Sequence, residues 1–167
     1  MSLSSSMEKV LNEQIQTELY SSYLYLSMSA YCSEIGFHGF AHWMKEQSKE
    51  EWAHGLKIYD YIIERGGKID LKEIKKPPQK FNSLTDMMQQ TLKHEQGVSK
   101  RINDLYETAG KTKDHATQIM MQWFVTEQVE EEAQINDILQ KMDKIAKTSS
   151  GIFYLDKEMG KRGLEKI

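Results

Sequence analysis

The two prolines of this chain stand side by side, Pro77-Pro78, near the middle of its 167 residues. Proline lacks a backbone donor and clashes with the preceding helical turn, so neither fits a helix interior. The pair divides the sequence into two long arms, each otherwise open to helix. Gly36 and Gly66-Gly67 break the first arm, Gly110 breaks the second, and Gly151 precedes a short apolar end. Strand-like alternation is absent, which predicts an all-α chain.

Apolar residues recur at helical spacing within each arm. A first helix is expected over about residues 7–35, with Leu11, Ile15, Glu18, Ser22, Tyr25 and Ser29 facing inward and Leu19 and Leu26 beside them. The second, about 38–65, carries Phe40, Met44, Gln47, Glu51, Ile58 and Ile62. Only a tight connection separates these two, so they run antiparallel. Ser83 is the expected N-cap of a third helix, with Asp86 three residues on. Its inward row is Leu84, Met88, Thr91, Glu95, Val98, Ile102 and Leu105, and Gly110 is expected to close it. A fourth helix, about 114–147, is expected to face inward through Ile119, Trp123, Glu127, Glu131, Ile138 and Met142. The segment 68–82 reaches about 50 Å when extended, against about 40 Å for the second helix. It can therefore cross a whole bundle. The expectation is a four-helix bundle, up-down-down-up with one long crossover, over residues 7–147. A flexible arm at 1–6 precedes it, and a short fifth helix, about 152–160, lies within the tail 148–167.

The chemistry lies in the carboxylates. Glu51 and His54 are three residues apart, one turn along a helix, so both can grip one metal ion from a rigid element. Glu18, Glu51, Glu95, Glu127 and Glu131 sit near the middles of the four helices, on otherwise apolar rows. A carboxylate buried without a partner is costly, and it either takes a proton or coordinates a metal. Any one of these residues read alone is a solvated edge position. Hard oxygen ligands with one imidazole suit iron or manganese rather than a thiolate zinc site.

Other features narrow the class. Net charge is −3, which gives no pull toward nucleic acid or anionic membrane. The single cysteine, Cys32, cannot form an intrachain disulfide and fits a reducing, cytoplasmic setting. No apolar run has the length of a membrane span. The first six residues lack the basic and apolar regions of a signal peptide.

Several stretches resemble the non-haem ferritins of bacteria and archaea. They are Asn12-Glu13-Gln14, Glu18-Leu19-Tyr20-Ser21-Ser22, Glu50-Glu51-x-x-His54, His94-Glu95, Trp123-Phe124-Val125-x-Glu127-Gln128-Val129-Glu130-Glu131-Glu132, and the ending Phe153-Tyr154-Leu155-Asp156-Lys157-Glu158. The likeness runs from about residue 7 to residue 160. It implies an iron store with ferroxidase activity, in which Fe(II) is oxidised by O2 or H2O2 and the ferric mineral is kept inside a homo-oligomeric shell of 24 subunits. It implies a first iron held by Glu18, Glu51 and His54. A second is held by Glu51, Glu95 and Glu131, with Glu51 bridging and Gln128 nearby. Glu50, Glu127, Glu130 and Glu131 match a third iron site, and Tyr25 matches a tyrosine beside the diiron centre. The short fifth helix matches one that clusters around the four-fold axis of the shell.

Two departures from relatives sharpen the expectation. Trp52 stands where bacterioferritins carry a haem-ligating methionine, so no haem is expected. Gln134 stands where a second Glu-x-x-His would end. His38, His42, His94 and His115 are read as surface, capping or supporting residues. The alternatives are a diiron oxygenase or peroxidase acting on another substrate, and a structural bundle without chemistry.

Overall fold

The computed structural model describes residues 3–145 and 150–163. Five helices form among them: α1 (Ser5–Glu34), α2 (His38–Glu64), α3 (Leu84–Lys111), α4 (His115–Ile145) and α5 (Gly151–Met159). No strand occurs among the described residues. Residues 1–2 of the expected arm, the expected break at 148–149 and the end of the fourth helix at 146–147 lie outside them. The contacts gather α1, α2, the crossover and α5 into one unit, and α3 with α4 into another.

α1 starts earlier than its apolar row suggests. Ser4 caps it, its side chain accepting from Met7 N at 3.2 Å, so residues expected in a flexible arm are the cap and first turn. α1 and α2 end on Gly36 (φ 83°) and Gly66 (φ 69°), in the left-handed region that glycine enters without a Cβ penalty. Phe37 N then donates to Cys32 O, and Gly67 N to Ile62 O, each at 2.9 Å. These bonds satisfy carbonyls that the helix ends would otherwise orphan.

Two hydroxyl bridges set the α1–α2 register. Ser22 Oγ donates to Ser48 O and Ser48 Oγ to Ser22 O, both at 2.7 Å. Seven residues further along α1, Ser29 Oγ donates to Ala41 O at 2.7 Å, seven residues back along α2. Partners that advance in opposite senses define an antiparallel pair, and small side chains let the backbones approach closely. Phe40, Met44, Ile58 and Ile62 are fully buried on α2, as their spacing predicts. Each contributes about 1.5–3 kcal/mol of burial. Leu26, expected beside the inward row of α1, is instead exposed.

The crossover has no regular structure, but side chains of α1 hold it at intervals. Lys68 N donates to Glu8 Oε2 and Asp70 N to Asn12 Oδ1, both at 2.8 Å. Asn12 Nδ2 donates to Lys68 O at 2.9 Å, Gln16 Nε2 to Glu73 O at 2.6 Å and Ser27 Oγ to Pro78 O at 2.7 Å. Phe81 meets Tyr31 edge to face at 5.1 Å. The segment thus runs the length of α1, as its reach allows.

α5 docks on the start of α2. Asp156 Oδ1 accepts from Phe40 N at 2.9 Å, satisfying a donor of the first turn of α2. A Cβ on Gly39 would fall 1.6 Å from Asp156 O, so only glycine permits the contact. Leu155 and Met159 are buried, whereas Phe153 and Tyr154 remain 66% and 69% exposed.

α3 buries every residue of its expected inward row. It continues through Gly110, however, and turns at Lys113, which takes φ 58° while Asp114 N donates to Ala109 O at 2.9 Å. Asp114 caps α4, accepting from Thr117 N at 3.2 Å. The buried row of α4 is Thr117, Met121, Phe124, Gln128, Glu131, Ile135, Ile138 and Met142. Ile119 is 70% exposed, and Trp123 and Glu127 are only half-buried, which corrects the expected inward face. The expected row advanced by four residues at each of its first steps, and each such step drifts about 40° around an axis with 3.6 residues per turn.

Candidate metal centre

Glu18 comes from the middle of α1, and Glu51 and His54 come from the middle of α2. Each offers a ligand atom within 4.8 Å of the others, and all three are at least 95% buried. Gly55 permits this approach, since a Cβ there would lie 3.2 Å from Leu19 Cδ2 and 3.6 Å from Glu18 Cβ. Gln14 Nε2 donates to Glu18 Oε1 at 2.7 Å, and Gln47 Nε2 to Glu51 Oε1 at 3.1 Å. His54 Nδ1 lies 3.3 Å from Glu51 Oε2. Amides thus orient both carboxylates from the side, as supporting partners of metal ligands do.

Glu18 Oε2 is buried and has no hydrogen-bond partner. Burial, reinforced by the neighbouring Glu51 charge, raises the Glu18 pKa well above its ordinary value. An orphaned carboxylate oxygen beside a second carboxylate and an imidazole fits a divalent cation. A bound cation would supply positive charge beside these carboxylates.

The second unit carries its own carboxylates. Glu95 on α3 is 0% exposed, and Glu131 on α4 is 5% exposed. Gln128 Nε2 donates to Glu95 Oε2 at 3.0 Å, and Ser99 Oγ donates to Glu132 Oε1 at 2.5 Å. His94 beside Glu95 has a pKa lowered by burial, which favours the neutral imidazole.

The remaining candidates differ in burial. Tyr25 is fully buried in α1. Of the four residues expected at a third iron site, Glu50 and Glu131 are buried, Glu127 is half-buried and Glu130 is exposed. Glu50 is ion-paired with Arg162, both side chains being more than 90% buried. Sequence reasoning did not single out Arg162, and it quoted Gln14 only within a matching stretch, with no role given to it. Gln14 stands four residues before Glu18, and that spacing was a usable signal. Arg162 gave none, because its contacts lie more than 110 residues away.

Central carboxylates on long helices, with one Glu-x-x-His and supporting amides, are the donor set of helical-bundle proteins that hold metals through carboxylates. The comparisons narrow the class. Residues 8–145 match the ferritin-like domain model. A bacterial non-haem ferritin of Bacteroides fragilis is 42% identical, the match covering 96% of this chain and 99% of that one. Another from Staphylococcus aureus is 36% identical over 96% of each. An engineered closed form of the Archaeoglobus fulgidus ferritin is 42% identical, with a TM-score of 0.96, over 98% of this chain and all of that one. The chain belongs to the non-haem ferritin family, and its fold is the ferritin four-helix bundle with a short C-terminal helix.

Proposed function

We propose that this chain is a ferroxidase subunit of an iron store. The observation that carries the reading is the buried Glu18–Glu51–His54 cluster with an orphaned carboxylate oxygen, in a chain whose family and fold support iron storage. Ferrous iron is the substrate. In this reading Glu18, Glu51 and His54 take the first ion, and Glu51 bridges to a second held by Glu95 and Glu131, with Gln128 beside it. Two ferrous ions give one electron each, so O2 and two protons leave as H2O2, or H2O2 and two protons leave as two waters. Both ions become ferric, and no one-electron oxygen radical is released. Anionic oxygens stabilise the added charge of the ferric state, and the exchangeable carboxylates let the product depart.

Tyr25 stands as a further residue of the centre, and Glu50, Glu127, Glu130 and Glu131 as a third iron site. The store is a 24-subunit homo-oligomeric shell in the cytoplasm, without haem, nucleic acid or membrane. Among the described residues no helix is long and apolar enough to cross a membrane.

The test is Glu51→Ala, followed by mixing with ferrous iron and oxygen. Fast oxidation should fall by at least about 100-fold, the upper range for losing even a supporting partner of a metal ligand. Subunit helicity and assembly mass should be retained. Oxidation at the wild-type rate would sink the proposal.

A further inference from the structure

Arg162 lies just beyond α5, in the chain's C-terminal segment, yet its side chain is only 8% exposed. Its guanidinium stacks over the Trp43 ring at 4.3 Å. One arm of the fork, Nη2, pairs with Glu50, and the other, Nη1, donates to Gln47 Oε1 at 2.7 Å. Its backbone carbonyl lies 2.7 Å from His42 Nε2. Its Nε is buried without an acceptor. Burying a guanidinium with one donor unsatisfied is costly, and α5 is already docked through Asp156, Leu155 and Met159.

The Gln47 contact supplies a use for that charge. Gln47 is 0% exposed, and its amide has chemically opposite ends. With the oxygen held by Arg162, the nitrogen faces Glu51 Oε1 at 3.1 Å, while Glu51 Oε2 faces His54. A turned amide would present oxygen to a carboxylate and a nitrogen donor to the guanidinium, leaving Nη1 only its longer bond to Trp43 O at 3.4 Å. The two bonds therefore fix one another, and together they set the plane of the Glu51 carboxylate.

We propose that Arg162 is a positioning residue for iron oxidation, acting through Gln47 on Glu51. This rests on the ferroxidase reading, because it concerns the same metal centre. The C-terminal segment is then part of the centre's support as well as an anchor for the tail.

The test is anaerobic ferrous titration of the full chain, with thermal unfolding in parallel. It compares the wild type, Glu51→Ala, Gln47→Leu, Arg162→Ala, the Gln47→Leu/Arg162→Ala double variant and Arg162→Lys. Removing a direct partner of a ligand weakens binding about 10- to 100-fold, which is the expectation for Gln47→Leu. Arg162→Ala should weaken ferrous binding about three- to tenfold, being one bond further out. The double variant should bind no more weakly than Gln47→Leu, because both changes cut one path. Arg162→Lys keeps the charge at Glu50 but lacks the fork, so it should lose affinity as Arg162→Ala does. It also carries the test if Arg162→Ala fails to fold.

Losses that multiply in the double variant overturn the proposal. So does wild-type affinity in Arg162→Lys, or a lowered melting temperature with unchanged affinity, which is the signature of a mere tail anchor. Binding lost in Glu51→Ala but intact in both Arg162 variants overturns the relay and leaves the metal centre standing. A wild-type chain that binds no ferrous iron overturns both.

Discussion

In the ferroxidase reading, Glu18 is the residue whose protonation state a bound ion would change. Its carboxyl, raised above the ordinary 4.5, keeps its proton at a pH where the unfolded chain has already lost it. The metal-free fold is therefore penalised progressively as pH rises from about 4.5 toward the raised value. Glu18→Gln removes that penalty, so the metal-free variant should melt above the wild type at pH 7.5, with the gap closing near pH 4. The same variant should lose most of its stabilisation by ferrous iron. Melting curves at both pH values, with and without anaerobic iron, check this; a variant less stable at every pH would refute it. Glu18, Glu51 and Glu95 were legible in sequence because each sits within a row whose apolar members are genuinely buried. Glu127 was misplaced because a repeated four-residue step does not hold one face of a helix. Arg162 was invisible, since periodicity reports only neighbours on the same element.

At the scale of elements, α5 depends on one close approach and one borrowed cap. Asp156→Ala removes the acceptor from Phe40 N and should cost about 1 kcal/mol, as capping losses do. Gly39→Ala should cost more, because a methyl cannot share space with a backbone carbonyl 1.6 Å away, and α5 must lift. Urea unfolding gives both losses, and amide exchange at Phe40 should rise in each variant. Equal stability of Gly39→Ala and wild type would refute the packing. The existence of α5 was readable from its apolar residues after Gly151. Its seat was not, because a lone aspartate and a lone glycine more than a hundred residues apart carry no local pattern. The crossover's length was also readable, whereas its attachment to α1 depends on Asn12, Gln16 and Ser27, which look like ordinary helix-surface residues in sequence.

For the whole molecule, Phe153 and Tyr154 are exposed on α5, and the 24-subunit reading gives them a neighbouring subunit to pack against. Truncation after Ser150 removes them with α5, and in the 24-subunit reading it should lower the assembly mass on dilution while leaving most helicity intact. Analytical ultracentrifugation measures it, and a truncated chain at full shell mass would dismiss the role. The return of α5 to α2 has another consequence. The chain leaves the first unit after the crossover and comes back to it at its end, where Asp156 and Arg162 tie the C-terminal segment to α2 without a covalent bond. Covalent continuity through the crossover is then partly redundant. A protease site placed between Ile74 and Lys75, where no described bond to α1 falls between the anchors at Glu73 and Pro78, should yield two fragments that elute together and melt as one. The same cut with Arg162→Ala and Asp156→Ala should release them far more readily. The C-terminal segment thus acts as a second, non-covalent fastening of the chain's last residues to its first half.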